Sequence, residues 1–106
     1  MPLPRLSDIE IQRELNALEG WSRKGEAIVK TFEFAAFPRG IAWLTRVADA
    51  AEAASHHPDI DVRYTRITAT LSTHESGGVT ALDFALAREM DALAHEPKGQ
   101  EPEKRA

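Results

Sequence analysis

Three of the four histidines stand where protons could be moved: His56 and His57 side by side before Pro58, and His74 farther along the chain. An imidazole titrates near neutrality, so it can give or take a proton at physiological pH. Glu52 precedes His56 by four residues, which puts both on one helical face if a helix runs that far. Pro58 keeps His57 out of the α region and so limits where it can point. Asp83 opens a later apolar segment, where a carboxylate could orient an imidazole. The histidine pair and Asp83 each also have a purely structural explanation. Histidine in a last helical turn complements the helix dipole, and Thr80-x-x-Asp83 is a variant of the capping box. Joint order and spacing, rather than any single residue, make acid–base chemistry the leading reading.

Other chemistries fit less well. Three imidazoles with Glu52 could form a zinc site, but adjacent histidines lack the i, i+3 or i, i+4 spacing of helical ligands. No H-E-x-x-H occurs either, so no metal is expected. A serine hydrolase is disfavoured because G-x-S-x-G is absent and Ser76-Gly77-Gly78 reads as a turn. With no cysteine, a disulfide framework, a thiol nucleophile and a cysteine zinc site are excluded. A net charge of −4 and scattered lysines and arginines argue against nucleic acid, which rewards a clustered positive surface. No apolar run approaches the roughly 18 residues that cross a bilayer. The opening Met1-Pro2-Leu3-Pro4-Arg5 lacks the apolar stretch of a secretory signal. A soluble cytoplasmic protein, without membrane or nucleic-acid partner, is the expectation.

These residues need elements to position them, and 106 residues suffice for one domain rather than two cores. Ser7-Asp8-Ile9-Glu10 is a capping box, with Leu6 and Ile11 at the flanking staple positions, and predicts a helix over 8–18. Trp21-Ser22-Arg23, a turn at Lys24-Gly25, and alternation from Ala27 to Phe34 predict a hairpin, with Lys30 out of place on the apolar side. Phe37-Pro38 opens a second helix reaching residue 55, with Ile41, Leu44, Val47, Ala48 and Ala51 as its buried stripe. Asp61–Tyr64 and Arg66–Thr73 predict a second hairpin, which puts His74 at a strand end. A last helix starts at Thr80–Asp83 and buries Leu82, Ala85, Leu86, Glu89 and Leu93. Phe32, Phe34, Phe37, Trp43 and Phe84 are assigned to the core. The order α-ββ-α-ββ-α predicts an α+β two-layer domain over 1–95: a four-stranded antiparallel sheet with helices on one face. Residues 96–106 read as a polar, disordered tail.

Glu52-x-x-x-His56-His57-Pro58, Tyr64, Thr70-Leu71-Ser72-Thr73-His74 and Gly78-Val79-Thr80-x-x-Asp83 together resemble the signature of the pterin-4a-carbinolamine dehydratases. Gly20-Trp21, Phe32-Glu33-Phe34 and Thr45-Arg46-Val47-Ala48 extend the resemblance over about residues 7–94. It implies a hydro-lyase that converts 4a-hydroxytetrahydropterin to quinonoid dihydropterin without metal or organic cofactor. It also implies a homodimer or homotetramer and a link to an aromatic amino-acid hydroxylase. His56, His57 and His74 are then the catalytic candidates, and Glu52, Thr73 and Asp83 the substrate-binding ones, with Asp83 expected to orient His74. Ile60 and Ser55 depart from the pattern, standing where tryptophan and an acidic residue are common. The alternative is a pterin-binding or dimerisation protein of coactivator type that has no catalytic role.

Overall fold

The computed structural model describes residues 3–95, so the expected tail over 96–106 lies outside the described residues. Local signals start each element. Helix α1, Asp8–Asn16, opens on a complete capping box: Ser7 Oγ accepts the Glu10 amide and the Glu10 carboxylate accepts the Ser7 amide. That backbone bond holds the Glu10 carboxyl below its ordinary value. Strands β1, Ser22–Lys24, and β2, Ala27–Glu33, form a hairpin whose two-residue loop begins at Gly25 with φ of 62°. Helix α2 spans Phe37–Ala54, with Pro38 in its first turn. Strands β3, Asp59–Arg63, and β4, Arg66–Leu71, form the second hairpin, and α3 spans Ala81–His95.

The four strands are antiparallel throughout, in the order β1-β2-β4-β3, so the two longest strands lie side by side at the centre. Ile28 and Phe32 from β2 and Ile67, Ala69 and Leu71 from β4 are buried under the helices, as alternation predicts. This is the expected α+β domain. Lys30 shares that inward face, and its ammonium reaches across to α3. It bonds Asp91 at 2.8 Å and the Glu19 carbonyl at 3.1 Å, and lies 4.8 Å from the Phe32 ring centre. Asp91 also accepts the Trp21 indole N–H, so the inward lysine is paired rather than misplaced.

Two helical stripes differ from the sequence reading. In α2 the buried residues are Gly40, Trp43, Val47 and Ala51, while Ile41 is 37% exposed and Ala48 is exposed. Trp43 is the largest apolar group on the helix, and placing it inward rotates the stripe about one position. Gly40 allows the close approach: a Cβ there would lie 3.1 Å from Ile67 and 3.2 Å from Phe34. In α3 the buried set is Asp83, Phe84, Leu86, Ala87, Met90 and Ala94, so Ala85 and Glu89 face outward. Phe84 and Met90 prevail over the smaller apolar residues, and Trp43 ties the helices by donating its N–H to the Met90 carbonyl. Phe37, assigned to the core, is 44% exposed; it lies one turn before Gly40, where the exposed Tyr64 turn is its ring partner.

Candidate active site

The rotation of α3 carries Asp83 to complete burial, 0% exposed, and the end of α2 delivers an imidazole to it. Helix α2 stops at Ala54 because Ser55 takes the left-handed conformation, φ 52° and ψ 41°. The Ser55 amide donates to Ala51 and Glu52 carbonyls and the His56 amide to Ala51, a closure of the Schellman kind. The reversal sends the two adjacent histidines in opposite directions. His56 turns inward, 9% exposed, and His57 remains 60% exposed.

Each imidazole meets a carboxylate, though not the one that spacing suggested. His56 Nε2 lies 2.6 Å from Asp83 Oδ1, and His57 Nε2 lies 2.6 Å from Glu52 Oε2. Glu52 and His56 would share a face only in a continuous helix, and the left-handed Ser55 ends it between them. The expected Asp83–His74 contact is likewise replaced by Asp83–His56.

On the sheet side, β4 ends at Leu71, two residues earlier than expected, because β2 reaches its own turn and offers no further partner. Ser72 there donates its hydroxyl to the Glu26 carbonyl, and Thr73 bridges to Gly78. His74 therefore opens a 3-10 turn, His74–Ser76, that Gly77 closes with φ of 77°, and its side chain is exposed. Thr73 is buried and donates its hydroxyl to Asp83 Oδ2 at 2.8 Å.

The ends of α2 and β4 meet at one cleft of about 250 Å³, lined by Ser55, His56, His57, Ser72, Thr73, His74, Glu75 and Leu82. Four of the six sequence candidates thus line a single opening. Asp83 stands behind its wall, and Glu52 reaches it through His57. Burying a carboxylate costs several kcal/mol unless donors surround it. Asp83 has three: His56, the Thr73 hydroxyl and the Thr80 amide at 2.9 Å. The Thr80-x-x-Asp83 cap therefore forms and serves the site at once. Sequence reading gave Thr80 no role in the site, though it stood in both the cap motif and the signature Gly78-Val79-Thr80-x-x-Asp83; it is 0% exposed and bonds Thr73. Ser55 was missed too, because no local signal marks a serine for the left-handed region. Among the described residues no group of three or more acidic or histidine side chains is arranged to hold a metal ion. No described helix is long and apolar enough to cross a membrane.

An arrangement of three imidazoles at a polar cleft, one backed by a buried carboxylate, can move protons to and from a bound molecule. Comparison with known proteins bears on which molecule. The family described as pterin 4 alpha carbinolamine dehydratase matches residues 4–93. A Roseiflexus protein (strain RS-1) that carries that dehydratase name in provisional form is 51% identical over 89 residues, covering 84% of this chain and 96% of its own. A Nocardia farcinica protein with the same provisional name is also 51% identical over 89 residues, covering 84% and 94%. Among solved structures, a Brucella melitensis protein described as a transcriptional coactivator/pterin dehydratase superposes with a TM-score of 0.83 at 39% identity. That superposition covers 85% of this chain and 98% of the other. A pterin dehydratase-like protein described as a RuBisCO assembly factor in the alpha-carboxysome gives 0.59 at 28% identity, covering 71% and 87%.

Proposed function

The chain belongs to the pterin 4 alpha carbinolamine dehydratase family, and from that membership we propose that it dehydrates 4a-hydroxytetrahydropterin to quinonoid dihydropterin by histidine acid–base catalysis. The observation that carries the reading is the convergence of His56, His57 and His74, from two separate chain segments, on one cleft.

The reaction asks for little beyond protons. The 4a-hydroxyl sits on a carbon bonded to N5. As the N5 lone pair forms the C4a=N5 double bond, the C–O bond breaks. An acid protonates the departing oxygen to give water, and a base takes the N5 proton, so no electron is gained or lost overall. One protonated and one neutral imidazole supply both roles, each contributing on the order of 10²–10⁴ in rate. His56 and His74 carry these protons in this reading. His57, oriented by Glu52, contacts the pterin ring, and Thr73 with Glu52 adds polar groups at its edge. Asp83 acts through His56 rather than on the substrate. The cytoplasm, self-association as a dimer or tetramer, and an aromatic amino-acid hydroxylase as the source of the carbinolamine complete the proposal.

The test is a dehydration assay on freshly generated carbinolamine. His74→Ala lowers kcat by about 10²–10³ and, at an exposed position, leaves stability within about 0.5 kcal/mol. His56→Ala also loses most of the rate. Equal rates for wild type, both variants and buffer overturn the catalytic reading, and tight pterin binding with no rate enhancement points instead to a non-catalytic binding protein.

A further inference from the structure

We infer that Thr80 is a positioning residue that acts through Thr73 and Asp83 to hold neutral His56 as its Nε2–H tautomer, leaving Nδ1 as the nitrogen that exchanges protons in the cleft. The inference rests on the dehydratase reading for its catalytic meaning, and on hydrogen-bond directions for its substance.

Thr80 is 0% exposed, so its hydroxyl cannot touch a molecule in the cleft. Its partners can be assigned one proton at a time. The single hydroxyl proton of Thr73 goes to Asp83 Oδ2 at 2.8 Å. The Thr73–Thr80 contact, also 2.8 Å, must then carry the Thr80 proton to Thr73 Oγ1. Thr80 Oγ1 in turn accepts the Leu82 amide at 3.2 Å, and the Thr80 amide donates to the same Asp83 Oδ2 at 2.9 Å. Every donor in this chain points toward one carboxylate. Oδ2 takes the two threonine donors, and Oδ1 is left for His56 Nε2 at 2.6 Å.

An amide N–H can only donate, so Oδ2 is an acceptor. Two donors on Oδ2 favour the ionised carboxylate, so the proton between His56 and Asp83 is placed on the ring. Neutral His56 therefore carries hydrogen on Nε2 and a lone pair on Nδ1. Asp83 takes Nε2, which leaves Nδ1 as the ring nitrogen outside that bond. The His56 side chain keeps about 10% exposure and lines the cleft, so Nδ1 is its polar atom available to a bound molecule. Chains of aligned hydroxyls polarise one another, so the Thr80 link strengthens the Thr73–Asp83 bond that it feeds. Without the Thr80 hydroxyl, Thr73 loses its donor and can turn its own proton elsewhere. Asp83 is then less firmly held, and the ring gains access to its other tautomer.

Ring nitrogen-15 correlation spectra of the ligand-free protein, with kcat and KM measured alongside, test the assignment. At a pH high enough for the ring to be neutral, the wild type is expected to show hydrogen on Nε2 of His56. Thr80→Val, which keeps shape and removes the hydroxyl, is expected to move the His56 nitrogens toward a mixed tautomer. It should lower kcat by about tenfold, as loss of a supporting partner does, with KM within about twofold. Thr80→Ser should restore both to within about twofold. A wild-type His56 with hydrogen on Nδ1 overturns the inference, as does T80V with unchanged nitrogen shifts and unchanged kcat. If T80V does not fold, Thr73→Val cuts the same chain one link nearer Asp83 and must produce the tautomer shift; its absence is equally decisive. The spectra need no substrate. An inactive wild type with Nε2–H His56 defeats the dehydratase reading and supports the tautomer, whereas an active one with Nδ1–H defeats the inference alone.

Discussion

At Asp83 a helix cap and a site residue are the same carboxylate. Its two oxygens accept a backbone amide, a hydroxyl and an imidazole N–H in full burial, an arrangement open to a negatively charged acceptor. Asparagine has nearly the same shape but replaces one acceptor oxygen with a donor. Turned one way its NH₂ group meets the threonine donors, and turned the other way it meets His56, which can accept it only as the opposite ring tautomer. Asp83→Asn is therefore expected to cost about 2–3 kcal/mol of stability, the scale of a charged hydrogen bond lost in burial. It should also reduce kcat by about 10–100-fold. Urea unfolding and the dehydration assay read the two effects separately, and a variant that loses stability while keeping kcat would deny Asp83 any role through His56. The exposed Glu52–His57 pair is a contrasting case. Solvent screens it, and a pair of this kind contributes about 0–1 kcal/mol, so its value lies in orientation rather than stability.

At the scale of elements, the site depends on how α2 and β4 end. A helix that continued through Ser55 would leave Glu52 and His56 stacked on one face, with His56 away from α3. The left-handed Ser55 turns the chain and separates the fates of the two histidines. Left-handed geometry costs a residue with a Cβ roughly 1 kcal/mol relative to glycine. Ser55→Gly is accordingly expected to raise stability by about 0.5–1 kcal/mol while keeping the His56–Asp83 contact. A shift of the urea midpoint at constant slope checks this, and a destabilised S55G would show that the serine side chain matters more than its backbone. Strand β4 ends for a different reason: it runs out of partner where β2 turns at Gly25. The freed residues, Ser72 to Ser76, can then fold over the end of the sheet and bring Thr73 and His74 to the cleft.

Across the whole molecule, one sheet face buries a continuous core, and an ion pair crosses it. Lys30 and Asp91 bridge sheet and α3, with side chains 17% and 21% exposed and Trp21 on the same carboxylate. Removing one partner leaves the other partly buried and uncompensated. Lys30→Met is expected to cost about 2 kcal/mol, discounted from the fully buried case because some solvent reaches the pair. Adding Asp91→Asn, which keeps an acceptor for the Trp21 indole, should recover most of that loss. The double-mutant cycle in urea measures the coupling, and strictly additive costs would show that the pair contributes nothing as a pair. The alanine-rich groove between α2 and α3, lined by Ala50, Ala53, Ala54, Leu82, Ala85, Leu86 and Glu89, is the outward consequence of turning Trp43 and Phe84 inward.

Element order, the capping box at Ser7, both hairpins and the α+β layering were legible in the chain alone. Caps, alternation and proline act over a few residues, and those residues are contiguous. The histidines and acidic residues could be picked out as a candidate set too, and the fold brings His56, His57, Thr73 and His74 to one cleft. Which imidazole meets which carboxylate was not legible. The His56–Asp83 contact joins residues 27 apart, and it follows from a left-handed serine and a helix rotated by its largest side chains. Those are outcomes of packing, where the volumes of Trp43, Phe84 and Met90 compete for one interior. The capping motif at Thr80 could announce a helix start, but only the folded core decides that the same threonine stands behind the site.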